Sequence, residues 1–358
     1  MKTIDRYIIA LFLKNLAIGA FGLTAIYLFQ QITGMLIDEN FPTRQVLIFN
    51  LFQIPAVLVQ MIPPSVLIAT VLTLSGLNRT NELTAIFSLG IGLKRIMALL
   101  LIFVFAVCMG TLFLQDSVLP ALFKRRTNYY WREMKKKTDF YLDVQQNKVW
   151  YRSKNLIYNL KAFELKTQQI LGMTVYSFDD RFTLVQTVEA DKALFTPQGW
   201  KLLNGTVTQF MDSDPFPINE KFNELRLQIP ETPKDFQEIE KEVDGLRIGE
   251  LKSYIDRNRG AGLDTKSFLV KFHSRFSLSF LPLVMCMIGI PFSVRGRREG
   301  GLAKDLGICL TVTFFYWLFY SIGLSLGTNG AVPPAIAAWG PTLVFMVFAL
   351  ILVARQEK

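Results

Sequence analysis

Residues 306–354 read LGICLTVTFFYWLFYSIGLSLGTNGAVPPAIAAWGPTLVFMVFALILVA, about 49 positions without one Asp, Glu, Lys or Arg. A helix rises about 1.5 Å per residue and bilayer hydrocarbon is about 30 Å thick, so about 20 apolar residues cross it once. The run is too long for a single crossing. It is interrupted at Gly327-Thr328-Asn329-Gly330 and at Pro333-Pro334, which divide it into two spans joined by a tight turn. No soluble core needs such a stretch, so the chain is read as a membrane protein.

Working outward, Phe276–Val294 supplies another span, and Asn15–Ile37, Gln45–Asn78 and Ile96–Gln115 supply three more near the N-terminus. Gln45–Asn78 is longer than one perpendicular crossing, so tilt or a break at Pro63-Pro64 is expected to absorb the excess. Between the third and fourth spans the hydropathy collapses. Lys148–Arg152, Leu171–Phe178 and Trp200–Phe210 read as strands, with Asn204-Gly205 as a turn signal. Leu225, Leu227 and Ile229 alternate with Arg226 and Gln228, the pattern of a half-buried strand. Ile248, Leu251 and Ile255 recur at helical spacing and end near Gly260-Ala261-Gly262. The expected fold is a polytopic α-helical membrane protein of six transmembrane helices with an inserted all-β, jelly-roll-like domain. Its parts are residues 1–123 with a cytoplasmic loop at 78–95, the β domain at 124–266, and residues 267–358.

Lys2, Arg6, Arg79, Lys94, Arg95, Arg295, Arg297, Arg298, Lys304, Arg355 and Lys358 fall on one side of this plan, and Arg44 alone occupies the short loops of the other. The positive-inside rule then places both termini in the cytoplasm and residues 124–266 outside. Charge at span ends also accounts for the net +10, which favours topology control and anionic lipid over nucleic acid. Cys108, Cys286 and Cys309 all lie inside spans, so no disulfide supports the β domain. No cleavable leader is expected, because the first apolar run is long and lacks a small-residue cleavage site.

The chemistry offered is sparse. His273 is the single histidine, which excludes a histidine metal cluster, and a phosphate-binding Gly-x-x-x-x-Gly-Lys-Ser/Thr loop is absent. No span carries a central carboxylate for ion coupling, and Asp116 falls at the outer end of span three. No catalytic residue, metal site or cofactor is expected. Two features remain. Residues 81–90, NELTAIFSLG, are helix-competent, with Glu82, Ile86 and Leu89 on or near one face. They fit either an interfacial helix on lipid headgroups or a docking helix in which Ala85, Phe87 and Leu89 fill a partner's groove while Glu82 meets a cation. Lys124, Arg125, Arg126 and Arg132, interleaved with Tyr129, Tyr130 and Trp131, fit either an interfacial belt or phosphorylated lipid headgroups.

Ile4-Asp5-Arg6-Tyr7-Ile8, Asn81-Glu82-Leu83 with Ser88-Leu89-Gly90, Glu250–Ile255, Gly262-Leu263-Asp264, His273, Met287–Phe292, Pro333-Pro334 and Ala338-Trp339-Gly340-Pro341 carry a resemblance in their order and spacing. The chain resembles the LptF/LptG permeases of lipopolysaccharide export along essentially its whole length, and Asp5-Arg6-Tyr7 leans toward the LptG member. The resemblance implies a sister permease, two copies of a cytoplasmic ATPase that bind the ATP, and a single-span periplasmic bridge protein. It implies an inner-membrane location and lipopolysaccharide as the substrate, taken from the outer leaflet and passed over the β domain. Glu82 matches the family's coupling acid. A basic headgroup contact near the outer end of span one is replaced here by Gln30-Gln31, so Lys124, Arg125, Arg126 and Arg132 are expected to carry more of that contact. Leu225, Leu227 and Ile229 are expected to line the acyl-chain track. The alternatives are a permease of the same architecture for another amphiphile, such as a lipoprotein or glycolipid, and a scaffold that displays a β domain without transport.

Overall fold

Inside hydrocarbon each backbone N–H and C=O must find its partner within the segment, and the uncharged runs accordingly fold as helices. The computed structural model describes residues 3–38, 41–134, 141–145, 148–153, 155–164, 169–179, 182–196, 199–211, 214–227, 245–260, 264–295 and 302–355. The helices are α1 (Thr3–Asp38), α2 (Thr43–Arg79), α3 (Glu82–Ser88), α4 (Leu93–Phe113), α5 (Leu119–Tyr129), α6 (Ile248–Gly260), α7 (Lys266–Arg295), α8 (Leu302–Thr328) and α9 (Pro334–Ala354). Six helices among the described residues are long and apolar enough to cross a membrane: α1, α2, the continuous Leu93–Met134, α7, α8 and α9. The chain divides into two compact units, Met1–Leu122 with Asp264–Lys358, and Phe123–Leu263.

In the helical unit α2 and α7 are central. Of their most apolar stretches 72% and 67% lie buried, against 17% for both α1 and α8. One core cluster joins Ile8 and Phe12 of α1 to Leu74 and Leu77 of α2, Ile96 and Leu100 of α4 and Ile290 of α7. A second joins Leu67 and Val71 of α2 to Val284 and Ile288 of α7 and Tyr316 and Tyr320 of α8. Because lipid is as apolar as the side chains, helix association relies on close packing and interhelical hydrogen bonds. Asn15 Nδ2 donates to Thr73 Oγ1 (2.9 Å), and Gln115 Nε2 donates to Ser279 Oγ (2.7 Å). Ser277 Oγ donates to Ala338 O (2.7 Å) and lies 2.8 Å from Thr342 Oγ1, which is 3.0 Å from the Tyr316 hydroxyl.

The turn between α8 and α9 follows the sequence closely. Gly330, at φ +78°, donates its N–H to Gly327 O, and Ala331 N–H donates to Leu326 O, the paired bonds of a Schellman cap. Pro334 then opens α9, where its fixed φ suits the first helical turn.

Of the two ways expected for the second span to absorb its excess length, tilt or a break at Pro63-Pro64, the break does not occur: α2 runs unbroken through Pro55, Pro63 and Pro64. Ile62–Leu67, prolines included, are buried against neighbouring helices. The third helix also does not stop near Gln115. A π-turn at Leu114–Val118 precedes Pro120, widening the ladder just where the proline ring would meet the preceding turn, and the helix resumes as α5. Residues 124–134, expected to open the β domain, are therefore helical, with a second π-turn at Tyr130–Met134.

Beyond this helical entry, the described residues of the inserted unit are strands, turns and α6. Strands β1 (Tyr141–Gln145), β2 (Lys148–Ser153), β3 (Leu156–Glu164), β4 (Gln169–Phe178), β5 (Leu184–Thr196), β6 (Gly199–Met211) and β7 (Asp214–Leu227) form one antiparallel sheet in sequential order. The jelly-roll-like expectation thus takes the form of a meander among the described strands. Alternation buries Tyr158 and Leu160 of β3, Met173 and Val175 of β4, Val188 and Ala190 of β5, and Trp200 and Leu202 of β6 on one face. Asn204-Gly205 is not a turn, because β6 runs through it. Ala190 pairs with Gly205 and Lys192 with Leu203 in unchanged register, and Asn204 takes φ +50° between them. A Cβ on Gly205 would stand 2.0 Å from Glu189 O and 2.5 Å from the Phe222 ring, so close approach and not chain reversal requires glycine. α6 begins where Arg247 N–H donates to Glu250 Oε2 (2.9 Å), half of a capping box, and buries Leu251 and Ile255 as their spacing foretold.

Candidate functional site

Residues 79–95 connect α2 to α4 at the end of the bundle that carries both chain termini. Asn81 adopts φ +60° at the start of α3. At its other end Gly90, φ +76°, donates to Phe87 O (3.0 Å) and Ile91 N–H donates to Ile86 O (3.4 Å), a second Schellman cap. A helix of only two turns is marginal alone. Here Leu83 and Ile86 anchor it, 1% and 7% exposed, in the cluster that holds Ile8, Phe12, Leu74 and Leu77.

This packing revises the face expected from the sequence. Ile86 turns inward with Leu83, whereas Leu89, the C-cap residue, is 69% exposed and Phe87 37%. Ala85 and Ser88 are exposed beside them. Glu82 is half-buried and its Oε2 accepts the Tyr7 hydroxyl of α1 (2.9 Å). The segment therefore presents an apolar outer surface flanked by a carboxylate, which suits a partner offering an apolar groove and a cation.

Three polar links surround α3; from sequence Glu82 is the expected docking acid and Asp5 and Tyr7 belong to the opening motif, whereas Arg79 and Arg95 read only as topology charges and Asp305 is not singled out. Besides Tyr7–Glu82, Arg95 pairs with Asp5 (3.1 Å) and Arg79 with Asp305 of α8 (2.6 Å). Both carboxylates are mostly enclosed, with 13% of the side chain exposed. The available signal was an acidic residue in a first turn, Asp5 or Asp305, on the side of the chain where cations dominate.

Elsewhere in the helical unit, Gln31 Nε2 donates to Gln53 Oε1 of α2 (2.8 Å), so its amide is engaged in the α1–α2 seam, and Gln30 is the exposed member of the pair. His273 sets its ring edge-on to Phe272, with centroids 5.5 Å apart.

In the β unit Lys124, Arg125 and Arg132 are exposed. Arg126 lies over the Phe123 ring at 5.0 Å, a cation–π contact that engages it locally. Helix α5 and the π-turn after it thus carry these cations on a basic helical segment. Leu225 and Leu227 are half-buried on β7 beside the sheet core, with Phe222 and Val207. Ile229 lies outside the described residues. Among the described residues no group of three His, Cys, Asp or Glu side chains is placed to hold a metal ion.

A family model described as lipopolysaccharide export system permease LptF/LptG matches residues 6–355, nearly the whole chain. The chain belongs to the LptF/LptG family. No individually curated protein matches it at a significant level. Membership identifies a multi-pass inner-membrane permease subunit for lipopolysaccharide export, a transporter component and not a catalyst.

Proposed function

We propose that this chain is one of two paired permeases of an ATP-driven exporter that lifts lipopolysaccharide from the outer leaflet and hands it to a periplasmic bridge. The observation that carries the reading is α3: a short helix entered at left-handed Asn81 and closed by the Gly90 cap, rooted by Leu83 and Ile86, with Phe87 and Leu89 exposed and Glu82 at its rim. Under this reading α3 seats on a cytoplasmic ATPase, where Ala85, Phe87 and Leu89 enter a groove and Glu82 meets a cation. The termini are then cytoplasmic, in keeping with the cations at that end, and the β unit is periplasmic. The Asp5-Arg6-Tyr7 opening favours the LptG member of the pair.

Energy from outside the membrane is required by the cargo. Each CH₂ taken from hydrocarbon into water costs about 0.8 kcal/mol, so a multi-acyl lipid needs both a motor and a sheltered apolar path. Leu225 and Leu227, with the partly exposed Phe195 and Ile218 nearby in the sheet order, supply such a path at the β6–β7 side. Lys124, Arg125 and Arg132 would hold phosphate groups through charge-assisted bonds. In the reconstituted transporter, Glu82→Ala is expected to strip the ATPase from the purified complex, and unchanged co-purification removes the docking assignment. Replacing Lys124, Arg125 and Arg126 by Glu is expected to reduce lipopolysaccharide crosslinking. Crosslinking at full yield would reduce the patch to a topology device.

A further inference from the structure

The docking segment is tied to two helices in particular. Tyr7 and Asp5 stand in the first two turns of α1 and hold Glu82 and Arg95, the residues just inside and just beyond the segment. Asp305, in the first turn of α8, holds Arg79, the last residue before it. These are the two helices with the least buried apolar stretches, whereas α2 and α7 form the packed centre. α3 is held between left-handed Asn81 and the Gly90 cap. Its underside shares a cluster with Ile8 and Phe12 of the same α1 and with Leu74 and Leu77 of α2. A close-packed centre yields little to a push, because compressing it forces side chains off their rotamers. Helices with one open face can rock without that cost.

We propose that the three links form a mechanical relay: a displacement imposed on α3 is delivered to α1 through Tyr7–Glu82 and Asp5–Arg95 and, from the end of α2, to α8 through Arg79–Asp305. Tyr7 is a positioning residue in this relay, orienting the carboxylate of Glu82 and reporting its movement to α1. The two ion pairs set the outward helices in register with the docking segment. The proposal rests on the reading of α3 as the ATPase seat.

The test uses the complete transporter in lipid nanodiscs, with retained ATPase, ATP hydrolysis and lipopolysaccharide extracted per ATP hydrolysed all measured. Asp5→Arg, Arg95→Asp, Arg79→Glu and Asp305→Arg are each made alone, and then as the charge-swapped pairs. The expected result is that single reversals keep the ATPase bound but lower lipid moved per ATP about fivefold or more, the range of a typical coupling free energy, and that the swapped pairs restore it. Tyr7→Phe, which removes one hydroxyl and leaves the ring packed, is expected to lower the same ratio. An unchanged ratio in the reversals, or a loss the swaps do not rescue, overturns the relay. Loss of the ATPase from the reversals also overturns it, by making the pairs part of the docking surface. If the parent chain itself retains no ATPase, the underlying docking reading fails, a different outcome from any of these.

Discussion

Gly90 offers a clean way to ask whether the geometry of α3 matters to docking. Its φ of +76° is the left-handed conformation of the Schellman cap, and a Cβ built there meets nothing within 4 Å. A substitution therefore introduces no clash, and its whole effect is backbone strain. For an ordinary L residue the left-handed region costs about 1–2 kcal/mol, less for Asn and more for a β-branched side chain. At about 1.4 kcal/mol per factor of ten, Gly90→Ala is expected to weaken ATPase binding by about 5- to 30-fold if the cap must be intact in the complex. The series should run Gly, Asn, Ala, Val in falling affinity. Gly92, two residues on, is the control: it has φ −71°, ψ 160° and also open space, so Gly92→Ser is expected to leave affinity unchanged or slightly improved as a better N-cap. The assay is titration of the ATPase onto the permease pair in nanodiscs. A Gly90→Val protein that folds and binds as tightly as its parent would refute the argument, since it would mean that α3 docks without its C-terminal cap.

Gly327→Leu is expected to lower the melting temperature of the full chain by several degrees, because a Cβ there already lies 2.4 Å from Ala337 Cβ and 2.8 Å from Val270 Cγ2; overpacking costs about 1–3 kcal/mol. Gly205→Ala should fold poorly, as it drives a methyl into Glu189 O and the Phe222 ring, and protease resistance of the β unit will show it. Thr342→Val removes the hydroxyl that lies between Ser277 and Tyr316, at a cost of about 1–3 kcal/mol for the polar groups left unpaired, measurable as earlier detergent unfolding. Cys108, Cys286 and Cys309 are buried and should resist maleimide until the protein unfolds; rapid labelling of the folded chain would contradict the packing.

The helical architecture was legible because hydrocarbon imposes a length and composition that few other environments demand. The α8–α9 turn was readable down to its glycine and proline positions for the same reason that short caps are readable anywhere: a left-handed residue and a proline each admit few conformations. Where the reading failed, a local signal was outweighed by neighbours. Pro63-Pro64 signals a break when nothing else constrains it, but here the segment is enclosed and α2 continues through it, leaving tilt as the other expected way to absorb its length. Asn204-Gly205 signals a turn when nothing else constrains it. Here β5 and β7 pair on both sides of β6, and the same two residues serve a close approach. Polarity after Gln115 marked the end of the apolar span but not of the helix, because charge changes where a helix sits and not whether its backbone can continue. At the candidate docking site the segment and its acid were visible in the sequence. The inward turn of Ile86 and the links to Asp5, Tyr7 and Asp305 were not, since they depend on which helix ends meet.

The distribution of polar groups bears on where work can enter the membrane unit. α2, α7 and α9 contain no carboxylate at all, and those of α1 and α8 lie at helix ends, at Asp5, Asp38 and Asp305. What crosses between helices at depth is neutral: Asn15 with Thr73, Gln31 with Gln53, Gln115 with Ser279, and Thr342 with Ser277 and Tyr316. Amides and hydroxyls hold helices together but do not change charge when an ion or proton passes, so they cannot bias one arrangement over another in response to a gradient. Two ion pairs between helices sit beside α3, joining α1 to α4 and α2 to α8. Under the proposed reading energy enters at α3, next to these charged links, which is the reason for expecting coupling to fail in the charge-reversal variants while the helical bundle itself stays folded.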